Sequence, residues 1–122
     1  MRILVIDDSR ATRTFLVHLA LELGLGTGEA VDGRHALEVL DAQPPFDAAL
    51  VDWEMPRMNG LDFVRAVRAD RARDPMRLLM VSGLNTMEHV TAALEAGATD
   101  FLMKPVSRES LEEKLLLLGV LQ

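Results

Sequence analysis

The segment Ile3-Leu4-Val5-Ile6-Asp7-Asp8 and its counterpart Ala48-Ala49-Leu50-Val51-Asp52 decide the fold, because each is an apolar run that ends on aspartate. If the two runs are neighbouring parallel strands, three carboxylates meet at one edge of a sheet. Carboxylates so close together repel, and burying them unpaired costs free energy or raises their pKa. A fold keeps such a cluster ionised mainly by giving it a cation. The two segments therefore predict a divalent-metal site, with one carboxylate free to do chemistry.

Apolar runs alternate with segments of helical periodicity along the chain, where hydrophobic residues recur at the spacing of helix turns. The expected strands are residues 2–6, 25–31, 47–52, 77–82 and 99–103. A helix is expected after each strand, and the last helix begins at Ser107 or Arg108. The strand at 25–31 contains two glycines and is expected to be short or to lie at an edge.

Strict alternation of this kind predicts an α/β fold with a doubly wound, five-stranded parallel sheet between two helix layers. Ligands in such folds bind at the carboxyl ends of the strands, near the switch in strand order. The polar residues Asp7, Asp8, Asp52, Ser82 and Lys104 each follow or end a strand, so they are expected on one rim.

Size and composition restrict the function further. The 122 residues predict one domain, 1–122, with no output domain, and the net charge of -6 argues against binding a nucleic-acid backbone. Cysteine is absent, which excludes disulfides and suits the cytoplasm. No apolar stretch is long enough to insert into a membrane, and there is no room for a signal peptide before the first strand.

A metal, carboxylates, a hydroxyl and an ammonium on one rim indicate phosphoryl chemistry. Mg²⁺ prefers hard oxygen ligands, and an aspartate can accept a phosphoryl group as an acyl phosphate. Lys104 can neutralise phosphoryl oxygens as a point charge, and the Ser82 hydroxyl can donate a hydrogen bond to one.

At this point the chain resembles a known family, the two-component response-regulator receiver domains, and is similar to their single-domain chemotaxis regulators. Four fragments in this order carry the resemblance: Val5-Ile6-Asp7-Asp8-Ser9, residues 51–60 (VDWEMPRMNG), Val81-Ser82-Gly83 and Phe101-Leu102-Met103-Lys104-Pro105. The resemblance implies a flavodoxin-like (βα)5 fold with strand order 2-1-3-4-5.

The family's roles transfer residue by residue. The resemblance implies that Asp52 accepts a phosphoryl group from a histidine kinase or phosphotransfer protein. It implies that Asp7, Asp8, Asp52 and the backbone carbonyl of Glu54 hold Mg²⁺ or Mn²⁺. The chain would then be a regulator that assists its own phosphorylation and dephosphorylation, not an enzyme.

The resemblance also implies a conformational switch. Lys104 would pair with Asp52 and then with the phosphoryl oxygens, and Ser82 would move toward the phosphoryl group. Phe101, at the family's aromatic switch position, would move inward into the space that Ser82 vacates. The Lys104–Pro105 peptide would be cis. A downstream target would bind the face formed by helix 4, strand 5 and helix 5.

Several residues depart from the family pattern. Ser82 stands for the commoner threonine, and Phe101 lacks the hydroxyl of a tyrosine, so its coupling to Ser82 must come from packing. Glu54 should flank the phosphoryl group and slow its hydrolysis. Four consecutive leucines at 115–118 exceed one buried stripe, so Leu116 or Leu117 should be partly exposed, and the last helix offers a face for a homodimer.

Two other function classes stay open at this point. One is an aspartate-nucleophile phosphohydrolase of haloacid-dehalogenase type, although the first strand ends Asp-Asp-Ser and no cap-sized insertion exists. The other is a pseudo-receiver that binds partners constitutively. Among the remaining residues, Trp53 is expected to be half-buried beside Asp52, and His18, His35 and His89 are expected at the surface.

Overall fold

Five parallel strands and five α-helices alternate in the computed structural model, which describes residues 1–84 and 86–122. A single turn of 3-10 helix at Arg71–Arg73 precedes the fourth strand. The strands are β1 (Arg2–Ile6), β2 (Gly26–Ala30), β3 (Ala48–Asp52), β4 (Arg77–Ser82) and β5 (Asp100–Met103). The helices are α1 (Arg10–Glu22), α2 (Gly33–Ala42), α3 (Gly60–Arg68), α4 (Met87–Ala96) and α5 (Arg108–Leu117).

The strands form one parallel sheet in the order β2-β1-β3-β4-β5, which confirms the predicted fold and strand order. The strand predicted to be weakest, β2, lies at the edge and pairs only with β1 within the described residues. Three strands are shorter than predicted. For example, β3 begins at Ala48, although the N–H of Asp47 still donates to the Arg2 carbonyl at 2.8 Å and its carbonyl accepts the N–H of Arg77 at 3.0 Å.

Helices cover both faces of the sheet, because alternate residues of the central strands point to opposite sides. Leu4 and Ile6 belong to a core shared with α2, α3 and α4, and Ile3 and Val5 belong to a core shared with α1 and α5. Burial on both faces explains why these strands are continuously apolar. None of the helices in the described part of the chain is long and apolar enough to cross a membrane.

Side chains that accept N–H groups of the first turn begin each helix. Ser107 caps α5, which confirms the predicted start of the last helix, and it forms a capping box with Ser110. In the same helix Leu111 and Leu115 are fully buried, whereas Leu116 is 49% and Leu117 is 75% exposed. The predicted exposure of this leucine run is therefore confirmed.

Glycine at position 60 sets how closely α3 approaches the sheet. A Cβ atom at this position would collide with the carbonyl oxygen of Asp52. Its N–H donates to the carbonyl oxygen of Trp53 at 2.8 Å. The absence of a side chain thus lets the first turn of α3 pack directly on the end of β3 and fixes the backbone of Asp52.

Candidate functional site

Three carboxylates gather where β1 and β3 end. Oxygen atoms of Asp7, Asp8 and Asp52, hereafter the acid cluster, lie within 4.8 Å of one another. Asp7 is 1% and Asp52 is 7% exposed, whereas Asp8 is open to solvent. The predicted meeting of the two strand ends is therefore present, and this group of acids could hold a metal ion.

The Asp7 carboxylate supports that assignment because one of its oxygens lacks a partner. Its Oδ1 accepts the N–H of Ser9 at 2.8 Å. Its Oδ2 is buried and has no hydrogen-bond partner among residues 1–84 and 86–122; Lys104 Nζ stands 3.7 Å away. A buried carboxylate oxygen without a donor is costly. Hard oxygens in this arrangement are the ligands that Mg²⁺ accepts, so the donor set fits such an ion.

Lys104 supplies the positive charge of the site. It follows β5, and its Nζ donates to Asp52 Oδ1 at 2.9 Å. Its backbone N–H donates to the Ser82 carbonyl at 2.9 Å, which holds the residue beside β4. The peptide between Lys104 and Pro105 is cis, as the family resemblance implies.

The charges in the site shift two pKa values. Burial raises the pKa of Asp52 above its ordinary value, and repulsion from Asp7 and Asp8 adds to this, while the hydrogen bond from Lys104 opposes it. Burial alone would lower the pKa of Lys104, but the hydrogen bond and attraction to Asp52, with Asp7, raise it overall. Added positive charge would therefore stabilise the ionised form of Asp52.

Ser82 and Phe101 lie on the neighbouring strands, β4 and β5. Ser82 ends β4 and is buried, and its Oγ accepts the N–H of Leu84 at 3.0 Å. Its hydroxyl proton can still be donated. Phe101 is partly buried and pairs with Met80 in the sheet register. Glu54 is exposed in the loop after β3, two residues beyond Asp52.

Sequence reasoning missed Arg13, which lies one turn into α1. Its guanidinium donates to the backbone carbonyl of Asp7 at 2.8 Å and pairs with Glu29 at 3.0 Å. The side chain is largely buried, so its hydrogen bond fixes the backbone at Asp7, beside the acid cluster. The sequence offers no signal for this contact, because an arginine on an amphipathic helix usually faces solvent.

A second missed pair joins the loops after β2 and β3. Asp32 is 3% exposed and accepts Arg57 Nε at 2.8 Å and the N–H of His35 at 2.8 Å. Burial alone would raise the pKa of Asp32, but the hydrogen bonds from Arg57 and His35 lower it overall. Arg57 adopts a left-handed backbone, with φ of 64°, which is uncommon for a residue with a side chain.

The expectation that all three histidines lie at the surface is wrong for two of them. His18 is exposed, but His35 and His89 are partly buried. His35 Nδ1 accepts the N–H of Val31 at 3.1 Å. His89 stacks on Trp53, which is half-buried as predicted. Helical periodicity gave no sign of either contact, because His35 bonds to the loop before its own helix and His89 contacts a residue that follows β3.

Comparison with known proteins gives consistent matches over almost the whole chain. A family model described as the response regulator receiver domain matches residues 3–116. The chain is 37% identical over 116 residues to the chemotaxis protein CheY of Pseudomonas aeruginosa, covering 94% of this chain and 93% of that protein. It is also 37% identical over 116 residues to CheY1 of Helicobacter pylori, covering 94% of each.

Solved structures agree with the sequence matches. The Vibrio cholerae chemotaxis protein CheY4 superimposes with a TM-score of 0.90 at 32% identity, covering 96% of this chain and 97% of that one. The receiver domain of the Francisella response regulator 1452 gives a TM-score of 0.86 at 27% identity, covering 96% and 94%. The range matched by the family model contains the positions of the acid cluster and of Lys104.

Proposed function

We propose, from the premise that this chain belongs to the response regulator receiver domain family, that residues 1–122 act as one phosphoacceptor switch of a two-component system. Asp52 is the acceptor in this proposal. The observation that carries it is the contact of 2.9 Å between Lys104 Nζ and Asp52 Oδ1 inside the acid cluster. The family match favours this function over a phosphohydrolase.

Asp52 is better suited to attack phosphorus than Asp7. Asp7 is fixed by the N–H of Ser9 and is 1% exposed, whereas the Asp52 side chain is 10% exposed at the rim. In the transfer, an Asp52 oxygen forms a bond to phosphorus as the phosphorus–nitrogen bond of a phosphohistidine breaks. The leaving imidazole takes up a proton and becomes neutral histidine.

The acid cluster would hold Mg²⁺ or Mn²⁺ through the carboxylates of Asp7, Asp8 and Asp52 and the backbone carbonyl of Glu54. The buried Oδ2 of Asp7, which no described residue hydrogen-bonds, supports this assignment. When bound, the ion supplies positive charge that offsets the negative charge of the transferring group.

The neighbouring residues perform the remaining work. Lys104 keeps Asp52 oriented before the reaction and neutralises phosphoryl oxygens after it. Ser82 exchanges its contact with the Leu84 N–H for a hydrogen bond to the phosphoryl group, and Phe101 follows into the freed space. The protein is a regulator in this proposal, because it turns over only its own phosphoryl group.

The partners follow from the same proposal. A histidine kinase or phosphotransfer protein donates the phosphoryl group in the cytoplasm. A downstream target protein binds the face of α4, β5 and α5, where Met87 is 81%, Met103 is 45% and Leu117 is 75% exposed. The net charge of -6 gives no support to direct nucleic-acid binding.

Labelling with acetyl phosphate and Mg²⁺, read by intact mass, tests the acceptor. The wild type should gain one phosphoryl group, and Asp52→Asn should gain none. Asp62→Asn removes an exposed acid of α3 and should label like the wild type. Label on Asp52→Asn would refute the acceptor assignment. Steady release of phosphate from added phosphate esters would support the phosphohydrolase instead. Trp53 fluorescence that does not change when Mg²⁺ is added would support a pseudo-receiver.

The last helix is proposed to support a homodimer as well. Light scattering at high protein concentration, with and without beryllium fluoride as a phosphoryl analogue, measures this directly. Leu117→Glu should shift the equilibrium toward monomer, because it places a charge in the apolar face. A wild type that stays monomeric in both conditions would remove the dimer from the proposal.

A further inference from the structure

We propose that His89 is a positioning residue that couples the phosphoacceptor loop to the switch position, Phe101. The inference rests on the proposed function, because it needs Asp52 to be phosphorylated. His89 lies in the first turn of α4, and its ring contacts both Trp53 and Phe101. Trp53 directly follows the acceptor in the chain. These three rings are called the aromatic stack below.

The geometry of the aromatic stack is that of direct packing. The rings of Trp53 and His89 are 3.5 Å apart between centroids and inclined by 22°. The rings of His89 and Phe101 are 6.4 Å apart and inclined by 81°, an edge-to-face arrangement. The edge-to-face pair lies within the centroid range of about 4.5–7 Å that aromatic pairs prefer, and the Trp53–His89 pair is closer, with its rings stacked in direct contact. Trp53 and Phe101 also pack on the same hydrophobic core, so His89 completes a path between them.

The Trp53 end of the path has a backbone fixed by hydrogen bonds. The backbone of Trp53 is held on both sides, by its N–H to the Val81 carbonyl at 3.2 Å and by its carbonyl to Gly60 at 2.8 Å. A change at Asp52 that passes along this loop therefore acts on the Trp53 ring more than on the Trp53 backbone, in parallel with the movement of Ser82. That ring faces His89.

The His89 side chain is positioned by the rings of Trp53 and Phe101 more than by hydrogen bonds. Its Nε2 is buried, and within the part of the chain that the structure describes it has no hydrogen-bond partner. A buried polar atom without a partner is uncommon and calls for a reason. Since no residue that the structure describes bonds to Nε2, the imidazole is positioned by its contacts with the two neighbouring rings and moves when either ring moves.

Coupling of this kind works in both directions. Suppose that phosphorylation of Asp52 changes, through His89, the equilibrium constant between the outward and inward positions of Phe101 by some factor. An inward Phe101 must then change the equilibrium constant for phosphorylation of Asp52 by the same factor. Inward movement of Phe101 withdraws its ring from His89 and changes the support of Trp53. The start of α4 carries His89, so it takes part in the same change.

Fluorine NMR on protein that contains fluorophenylalanine measures the coupling. The chain has four phenylalanines, and Phe101→Leu identifies the Phe101 signal. Mg²⁺ with beryllium fluoride should move this signal in the wild type. In His89→Leu the movement should fall at least twofold, while acetyl phosphate still labels Asp52. His89→Tyr retains a flat ring and should recover the movement, and Thr91→Ala, at an exposed position of α4, should leave it unchanged.

The outcomes separate this inference from the proposed function. Failure of the wild type to label at Asp52 would overturn the proposed function itself. Normal labelling together with an unchanged Phe101 movement in His89→Leu would overturn the role of His89 alone. If His89→Leu does not fold, Trp53→Leu interrupts the aromatic stack from its other end, and a full Phe101 movement in that variant would equally refute the coupling.

Discussion

Replacing Asp52 with asparagine should stabilise the protein when no metal is present. The carboxylate oxygens of the acid cluster are no more than 4.8 Å apart. At an effective dielectric constant of 20, two unit charges at that upper limit repel by about 3 kcal/mol, and the contact of 2.9 Å with Lys104 attracts by about 6 kcal/mol. Repulsion from Asp7 and Asp8 together therefore roughly cancels the attraction. The cost of burying the Asp52 charge is left over, and it agrees with the raised pKa of this group.

The neutral asparagine removes that cost and keeps the shape. We expect a gain of about 1–2 kcal/mol in the free energy of unfolding at pH 7, a rise in Tm of about 3–8 °C. Because the pKa of Asp52 is raised above 3.8 in the folded protein, the folded state binds its proton more tightly. The wild type therefore gains stability as the pH falls through the folded pKa, and the gain is complete below 3.8. The difference between the two proteins should close over that range.

Thermal and urea unfolding in the presence of a chelator, from pH 7 to pH 3.5, measure both quantities. Glu95→Gln is the matched control, since it removes one negative charge at an exposed position of α4 and should change stability by less than about 0.5 kcal/mol. An Asp52→Asn protein that is less stable than the wild type at pH 7 would refute the reasoning. So would a stability difference that does not depend on pH.

Three further substitutions test other parts of the site. Lys104→Met leaves the buried acids unpaired, so it should lower the metal-free free energy of unfolding by about 1–3 kcal/mol. It should also tighten Mg²⁺ binding about tenfold, as measured by titrating the fluorescence of the single tryptophan, and weaker binding would contradict this. Gly60→Ala should destabilise by about 1–3 kcal/mol because its Cβ meets the Asp52 carbonyl, whereas Gly83→Ala, with open space around it, should not; equal melting temperatures would exclude the clash. Glu54→Ala should shorten the phosphoryl lifetime by about 2- to 10-fold, since an exposed carboxylate no longer impedes water; equal lifetimes would disprove the idea.

The candidate site was predictable where its residues lie at strand ends. Asp7, Asp52, Ser82 and Lys104 each follow or end an apolar run, and a parallel sheet brings the carboxyl ends of its strands to one edge. The capping box at Ser107 was predictable for a similar reason, because it depends on residues three positions apart.

Contacts between elements were not predictable in the same way. The pair of Asp32 with Arg57 and the stack of Trp53 on His89 join segments far apart in the chain, and Arg13 of α1 reaches back to the carbonyl of Asp7 at the end of the preceding strand. Helical spacing gives the side of a helix on which a residue lies, but it does not give the residue of another element that faces it.

The sequence alone thus determined the alternation of strands and helices and the gathering of acids at one rim, because both depend on local periodicity and on the direction of parallel strands. The tertiary structure alone decided which oxygen of Asp7 has no donor among residues 1–84 and 86–122, and which rings meet beside Asp52. These features depend on the distances between packed elements and on side-chain rotamers, which packing fixes only once the whole core has formed.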